Sequence, residues 1–204
     1  MKIFCIGRNY INHAKELNNP VPKEPLVFMK PATALLRENK PFYYPDFSED
    51  IHYEVELVLK IKKNGRHIQS QFAKNYYDSV ALGIDFTARD LQSKAKAKGH
   101  PWEKAKAFDS SAVLSDFLPI DSCKDKEGNI HFSLNKNDNE VQNGSSGDMI
   151  FSFDTIICHL SQFFTFQTGD LIYTGTPEGV GPIQISDNLE GFINNQSMFK
   201  FDIK

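Results

Sequence analysis

The 204-residue chain is 40% hydrophobic and 24% charged, the balance of a water-soluble globular protein, and its length suits one domain spanning residues 1–204. A net charge of −3 excludes a general electrostatic pull toward nucleic acid or anionic membranes. No stretch approaches the roughly 18 apolar residues of a membrane span, and the first apolar run stops at Gly7 and Arg8, unlike a secretory leader. In chain order, "KIFCIG" is predicted as a strand and "RNYINHAKEL" as a helix, with Tyr10, Ala14 and Leu17 at helical spacing. The prolines of "NNPVPKEP" stop that helix, and "LVFMK" is the next strand. "IHYEVELVLKIKKNGRHI" reads as a strand, an Asn-Gly turn and a second strand. The apolar run "DSVALGIDF" precedes a helix, "TARDLQSKAKAKG", that Gly99 ends. "HFSLNKNDNEVQNG" reads as strands around a polar turn, "DTIICHLSQFF" as a helix, "GDLIYTGTPEGVGP" as a strand entering a loop, and "SMFKFDIK" as the closing strand. Strands dominate in irregular order, which predicts an α+β, β-rich fold with a large mixed sheet. Seventeen Phe predict a core rich in aromatic contacts. Cys5, Cys123 and Cys158 form no CxxC pair, so a disulfide framework or cysteine zinc site is not indicated and a reduced, cytoplasmic setting is expected.

The strand "IHYEVELVLK" places Glu54 and Glu56 on one face, about 7 Å apart at the backbone. They are either a solvated sheet face or the start of a cation site. Asp85 ends an apolar segment, where an ionised carboxylate costs several kcal/mol unless compensated. Its partners are the helix beginning near Thr87, which it would cap, Arg89, or a divalent cation shared with the two glutamates. Carboxylates without a soft ligand suit Mg²⁺ or Mn²⁺ better than zinc. His13 and Glu16 stand at i and i+3, either a surface pair or an imidazole oriented as a general base. Lys94, Lys96 and Lys98 read as a solvated positive segment. Lys106 precedes a segment turning apolar and would require an anion if it points inward; Lys30, before Pro31, raises the same question. "YTGTPEGVGP" is either a tight connection or an anion cradle of backbone N–H groups.

The ordered set "GRNYINHAKEL", "FMKP", "IHYEVELVLKI", "GIDFTARDLQ", "GHPWEKAKAFD", "DMIFS" and "GDLIYTGTPEGVGP" spans nearly the whole chain. It resembles the fumarylacetoacetate hydrolase family, most closely its short members of the acylpyruvase and oxaloacetate decarboxylase type. The resemblance implies a catalytic fold of rolled mixed sheets, assembled as a homodimer. It implies Glu54, Glu56 and Asp85 as ligands of Mg²⁺ or Mn²⁺, and His13 and Glu16 as a catalytic dyad. Lys106 matches the lysine that holds substrate and stabilises enolate charge. Arg89, Gln92, Thr176 and Lys30 are the accompanying candidates for substrate binding. The sequence departs from the family pattern at Asn137-Asp138-Asn139 and at Ser146. The implied reaction is hydrolytic cleavage of an acylpyruvate to pyruvate and a carboxylic acid. Oxaloacetate decarboxylation or an isomerase-type proton transfer at the same site is the alternative, and a non-catalytic binder of metal and oxo acids is a further one.

Overall fold

The computed structural model describes residues 1–16 and 20–204. The first half runs β1 (Ile3–Gly7), α1 (Ile11–Glu16), β2 (Leu26–Lys30), β3 (Leu35–Leu36), β4 (Ile51–Tyr53), β5 (Val55–Lys60), β6 (Ser79–Asp85), β7 (Thr87–Ala88) and α2 (Arg89–Lys98). The second half runs α3 (Glu103–Lys106), β8 (Ala112–Leu114), β9 (Leu118–Pro119), β10 (His131–Lys136), β11 (Asn139–Ser145), α4 (Phe153–Phe163), β12 (Leu171–Tyr173), β13 (Gly181–Pro182), β14 (Asn188–Ile193) and β15 (Gln196–Asp202). The expected α+β, β-rich fold is the one observed. A large curled mixed sheet is ordered β2-β1-β12-β5-β6-β8-β3, with β9 beside β6. Its β1–β12 and β3–β8 pairs are parallel. A second sheet, β11-β10-β14-β15, is antiparallel, and a small third one is ordered β13-β4-β7.

The segment expected to be one strand is broken, and of the two readings left open for its acid face the solvated one is not observed. It breaks at Glu54, where the chain leaves the small sheet and enters the large one. Its neighbour breaks at the matching place, Phe86, between β6 and β7. Beyond the break, β5 lies between β12 and β6 and is covered on both faces. Val55, Leu57 and Leu59 join the main core, and Val58 joins a smaller one with Cys5, Ala81 and Tyr173. A strand with two buried faces explains why "VELVLK" is nearly continuously apolar. Because Val55 pairs with Ile84 and Glu56 with Gly83, the acids Glu54, Glu56 and Asp85 share the face of the smaller core.

Several local expectations hold. Gly99 caps α2 in the left-handed conformation (φ 64°). The β10–β11 turn takes Asn137 and Asp138 at φ 51° and 62°, as a two-residue hairpin turn requires. The phenylalanines do build the core: Phe42 lies 4.2 Å from Phe86 between ring centroids, and Phe86 meets Phe201 edge-on. All three cysteines are unpaired. Leu17, assigned to α1 by its spacing, lies outside the described residues. The hairpin expected at Asn64-Gly65 does not form. Gly65 instead makes an isolated bridge with Phe166, and the Tyr76 ring fills the space where a side chain would stand, 2.3 Å from an ideal Cβ. Among the described residues, no helix is long and apolar enough to cross a membrane.

Gly83 sets the spacing behind the acidic face. A Cβ there would lie 2.6 Å from both Tyr173 Cε1 and the Val113 carbonyl, and Tyr173 is pinned by donating its hydroxyl to that carbonyl at 2.6 Å. Neither neighbour can retreat cheaply. Gly83→Ala is expected to destabilise the fold by about 2–3 kcal/mol in urea denaturation, the overpacking range; a change within about 0.5 kcal/mol would show that this corner is slack.

Candidate active site

Candidate ligand oxygens of Glu54, Glu56 and Asp85 lie within 4.8 Å of one another, and all three residues are buried. The corner brings them together: Asp85 N–H donates to the Glu54 carbonyl at 2.8 Å, tying the two breaks to each other. Glu54 is 5% exposed and Glu56 2%, so the solvated-face reading is wrong. Asp85 does not cap α2, whose N-cap is Ala88 without a side-chain bond, nor does it pair with Arg89. The guanidinium of Arg89 instead donates to Glu54 Oε1 at 2.7 Å and to Gln92 Oε1 at 2.8 Å. The geometric reason is the break at Phe86, which separates Asp85 from the helix start.

The cations are distributed unevenly. The Lys106 ammonium bridges Glu54 Oε2 (2.8 Å) and Asp85 Oδ2 (2.7 Å), so the lysine does point inward. Lys30 is equally buried, with its Nζ 2.8 Å from Asp85 Oδ1 and donating to the carbonyl and hydroxyl of Ser111. It also donates to the Lys106 carbonyl. Among the described residues Glu56 receives only the Gly175 N–H, at 2.7 Å. The titrations follow. Burial opposes charge on Glu54, yet Lys106 and Arg89 overcome it and hold this carboxyl well below the usual range. For Glu56 burial is reinforced by the charge of Asp85, and its pKa is pushed well above a normal carboxylate. Burial also opposes charge on Lys106, but Asp85 and Glu54 keep it protonated.

His13 lines this pocket and Glu16 stands beside it. His13 Nδ1 lies 3.3 Å from Glu16 Oε2; the imidazole is 4% exposed while Glu16 is exposed, so the pair joins a buried ring to a surface carboxylate. With Nδ1 donating to the carboxylate, Nε2 is the nitrogen left to accept a proton. Burial lowers the His13 pKa, against the opposing pull of Glu54 and Glu16. Glu16 Oε1 also accepts the Gly179 N–H at 3.0 Å, which docks α1 onto the loop after β12. Thr176 lies on that loop and lines the pocket with Gln92.

Other positioning groups escaped the sequence reading. Gln142 donates to Thr176 Oγ1 at 2.9 Å and accepts the Val55 N–H at 2.9 Å, linking the loop to the strand that carries the acids. The sequence carried no signal for it, since its strand phase reads Glu140, Gln142 and Gly144 with no apolar residue. Thr87 donates to Glu54 Oε1 at 2.9 Å. Asn9 clamps the turn after β1, exchanging hydrogen bonds with the Phe151 backbone and donating to the Thr174 carbonyl at 2.8 Å. Lys94, Lys96 and Lys98 are exposed as expected, and Lys96 in addition sits 5.5 Å from the Trp102 ring centroid and lines the pocket.

The donor set fits a hard divalent cation. It is made of carboxylate oxygens alone, and Glu56 has no cationic partner among the described residues while the other two acids do.

Comparisons with known proteins agree with this chemistry. The fumarylacetoacetate hydrolase C-terminal family matches residues 2–204. A mitochondrial oxaloacetate tautomerase of Mus musculus is 41% identical over 202 residues, covering 99% of this chain and 91% of that protein. An oxaloacetate tautomerase of Escherichia coli is 39% identical over 197 residues, covering 97% and 90%. The crystal structure of fumarylpyruvate hydrolase from Pseudomonas aeruginosa, in complex with Mn²⁺ and pyruvate, superposes with a TM-score of 0.92 at 33% identity, covering 100% of this chain and 89% of that one.

Glu56 yields a test independent of turnover. A carboxyl whose folded pKa is raised binds more protons folded than unfolded, so it lowers stability as pH rises above the usual carboxylate range. A cation that needs Glu56 ionised reverses this. Saturating Mn²⁺ or Mg²⁺ (about 100 Kd) is expected to stabilise the wild type by about 2.7 kcal/mol. That is a rise of roughly 5–10 °C in Tm, larger at pH 7.5 than at pH 5. Glu56→Gln should lose the ion-dependent rise yet melt no lower than wild type without divalent ions. An undiminished ion-dependent rise in E56Q would remove Glu56 from the ligand set.

Proposed function

The chain belongs to the fumarylacetoacetate hydrolase family, and on that premise we propose that residues 1–204 act as one catalytic domain for enolate chemistry on a small 2-oxo acid, foremost the keto–enol tautomerisation of oxaloacetate. The observation that carries this reading is the uncompensated buried carboxylate of Glu56 beside Glu54 and Asp85, with the base His13 lining the same pocket. Glu54, Glu56 and Asp85 would hold Mg²⁺ or Mn²⁺. An ion bound there would supply Lewis acidity that favours the enolate of a 2-oxo acid.

Formal charge supports an anionic substrate. Glu54, Glu56 and Asp85 contribute −3, and Lys30, Arg89 and Lys106 contribute +3. A divalent ion leaves the site positive, and Arg8 and Lys96, which line the same pocket, add to that excess. His13, neutral at physiological pH and oriented by Glu16, takes the C3 proton of the keto acid through Nε2; the enolate oxygen gains a proton from solvent to give the enol, and the reverse transfers regenerate the keto acid. Lys106 places an ammonium where the enolate oxygen gathers charge. Arg89, Gln92 and Thr176 hold the remaining polar atoms of the substrate, while Lys30 fixes Asp85 and the Lys106 backbone from behind. The working form is a homodimer.

Tautomerisation stands ahead of hydrolysis because the tautomerase relatives are 41% and 39% identical and the fumarylpyruvate hydrolase 33%. Hydrolysis of an acylpyruvate is the second reading, favoured by the pyruvate in that hydrolase complex. There His13 would take a proton from the water that attacks the distal carbonyl. Decarboxylation of oxaloacetate needs no such base, and mere binding has no use for an oriented one.

The test is the decay of enol absorbance of oxaloacetate, with acetylpyruvate cleavage and pyruvate release measured in parallel, each with and without Mn²⁺ or Mg²⁺. His13→Gln should slow tautomerisation by about 10²–10⁴-fold, the usual general-base contribution, and leave any decarboxylation largely intact. The acid limb of kcat/KM should lie below pH 6.5, because burial lowers the His13 pKa from that value and the neutral form is the base. Metal-loaded wild type that equilibrates oxaloacetate no faster than the same buffer without protein would sink this assignment.

A further inference from the structure

Two buried atoms beside the site have no hydrogen-bond partner among the described residues: Nδ1 of His52 and Nε of Arg89. They are complementary. A guanidinium Nε–H can only donate, while the unprotonated nitrogen of a neutral imidazole accepts. His52 Nε2 lies 2.9 Å from Asp50 Oδ1. With that carboxylate ionised, Nε2 carries the proton and Nδ1 is left as the acceptor. Burial and then the charge of Arg89 lower the His52 pKa, which favours the neutral ring and marks the two groups as neighbours.

The strand register explains why they meet. His52 of β4 stands opposite Thr87 of β7, and one step along the Arg89 N–H donates to the Asp50 carbonyl at 2.7 Å. Thr87 and Arg89 both reach Glu54 with their side chains. Arg89 therefore starts opposite Asp50 and crosses the His52 position on its way to Glu54. Asp50 is itself tied to α2, the helix that Arg89 begins. Its N–H donates to Ser48 Oγ at 3.3 Å, and Ser48 donates to Asp90 Oδ1 at 2.6 Å.

We propose that His52 is a positioning residue for Arg89, acting through one internal water that accepts from Arg89 Nε–H and donates to His52 Nδ1. Such a water satisfies both buried atoms at once. It holds the guanidinium by its Nε edge, so that the other nitrogens stay on Glu54 and Gln92. The N–H bonds that remain are kept for an anion in the pocket that Arg89 lines. That last step rests on the 2-oxo acid reading above; the bridge itself does not.

A crystal structure of the wild type is expected to show one water within hydrogen-bond distance of both atoms. Two substitutions then separate the two nitrogens of the ring. Asn sets its amide oxygen where Nδ1 stands, whereas Gln sets its amide nitrogen near Nε2 and serves Asp50 alone. His52→Gln is expected to raise the Kd of pyruvate for the Mn²⁺-loaded protein, by calorimetry, about three- to tenfold, the worth of one buried hydrogen bond. His52→Asn keeps the acceptor and should stay within about twofold of wild type. Where oxaloacetate is turned over, the loss in H52Q should fall on KM and leave kcat within about twofold, because the base His13 is untouched. Equal losses in the two variants, or a wild-type crystal structure with no water shared by the two atoms, would overturn the bridge. If H52Q fails to fold, the wild-type crystal structure and H52N carry the test. A shared water in a protein that binds no pyruvate would count against the 2-oxo acid reading and support the His52 bridge alone.

Discussion

The interaction on which this structure depends is the compensation of carboxylates buried where two strands change sheets. Glu54, Glu56 and Asp85 are each almost removed from water, and an isolated buried carboxylate is among the most costly groups a fold can hold. Lys106, Lys30, Arg89 and Thr87 answer for Glu54 and Asp85 by direct contact. Among the described residues Glu56 has a single backbone N–H. The corner is therefore satisfied on one side and electrostatically open on the other, an arrangement a purely structural ion-pair network would not favour.

The rest of the fold holds that corner still. Behind it the apolar face of Val58, Ala81 and Tyr173 excludes water, and Gly83 admits the Tyr173 ring at a distance no side chain would permit. To one side the Gln142 amide joins the strand bearing the acids to the loop bearing Thr176. Through Glu16 and Gly179 the same loop grips the helix that carries His13. His13, the loop and the acids are thus one connected set of hydrogen bonds, so a shift in any of the three elements is felt at the other two.

Charge is crowded in the pocket: Glu54, Glu56 and Asp85 line it together with Arg89 and Lys106, and Arg8 and Lys96 line it too. Arg8 is left-handed (φ 59°), and the residue after it, Asn9, is fixed by hydrogen bonds to Phe151 and Thr174.

Much of this was legible in the sequence because it depends on short-range order. Period-two alternation, the glycine stop at Gly99 and the turn residues Asn137 and Asp138 specify their local conformations whatever surrounds them, and the ordered motifs carried the family and the ten candidate residues. What the sequence could not determine was which charges face each other. From residues 50 to 60 alone a wet strand face and a buried one look alike. Arg89 is near Asp85 in sequence but pairs with Glu54 in space, and Gln142, Asn9 and Lys96 gain their roles from elements distant along the chain. Secondary structure follows from neighbours within a few residues. The partners of a buried charge are set by how sheets cross, and that is decided only when the whole chain has folded.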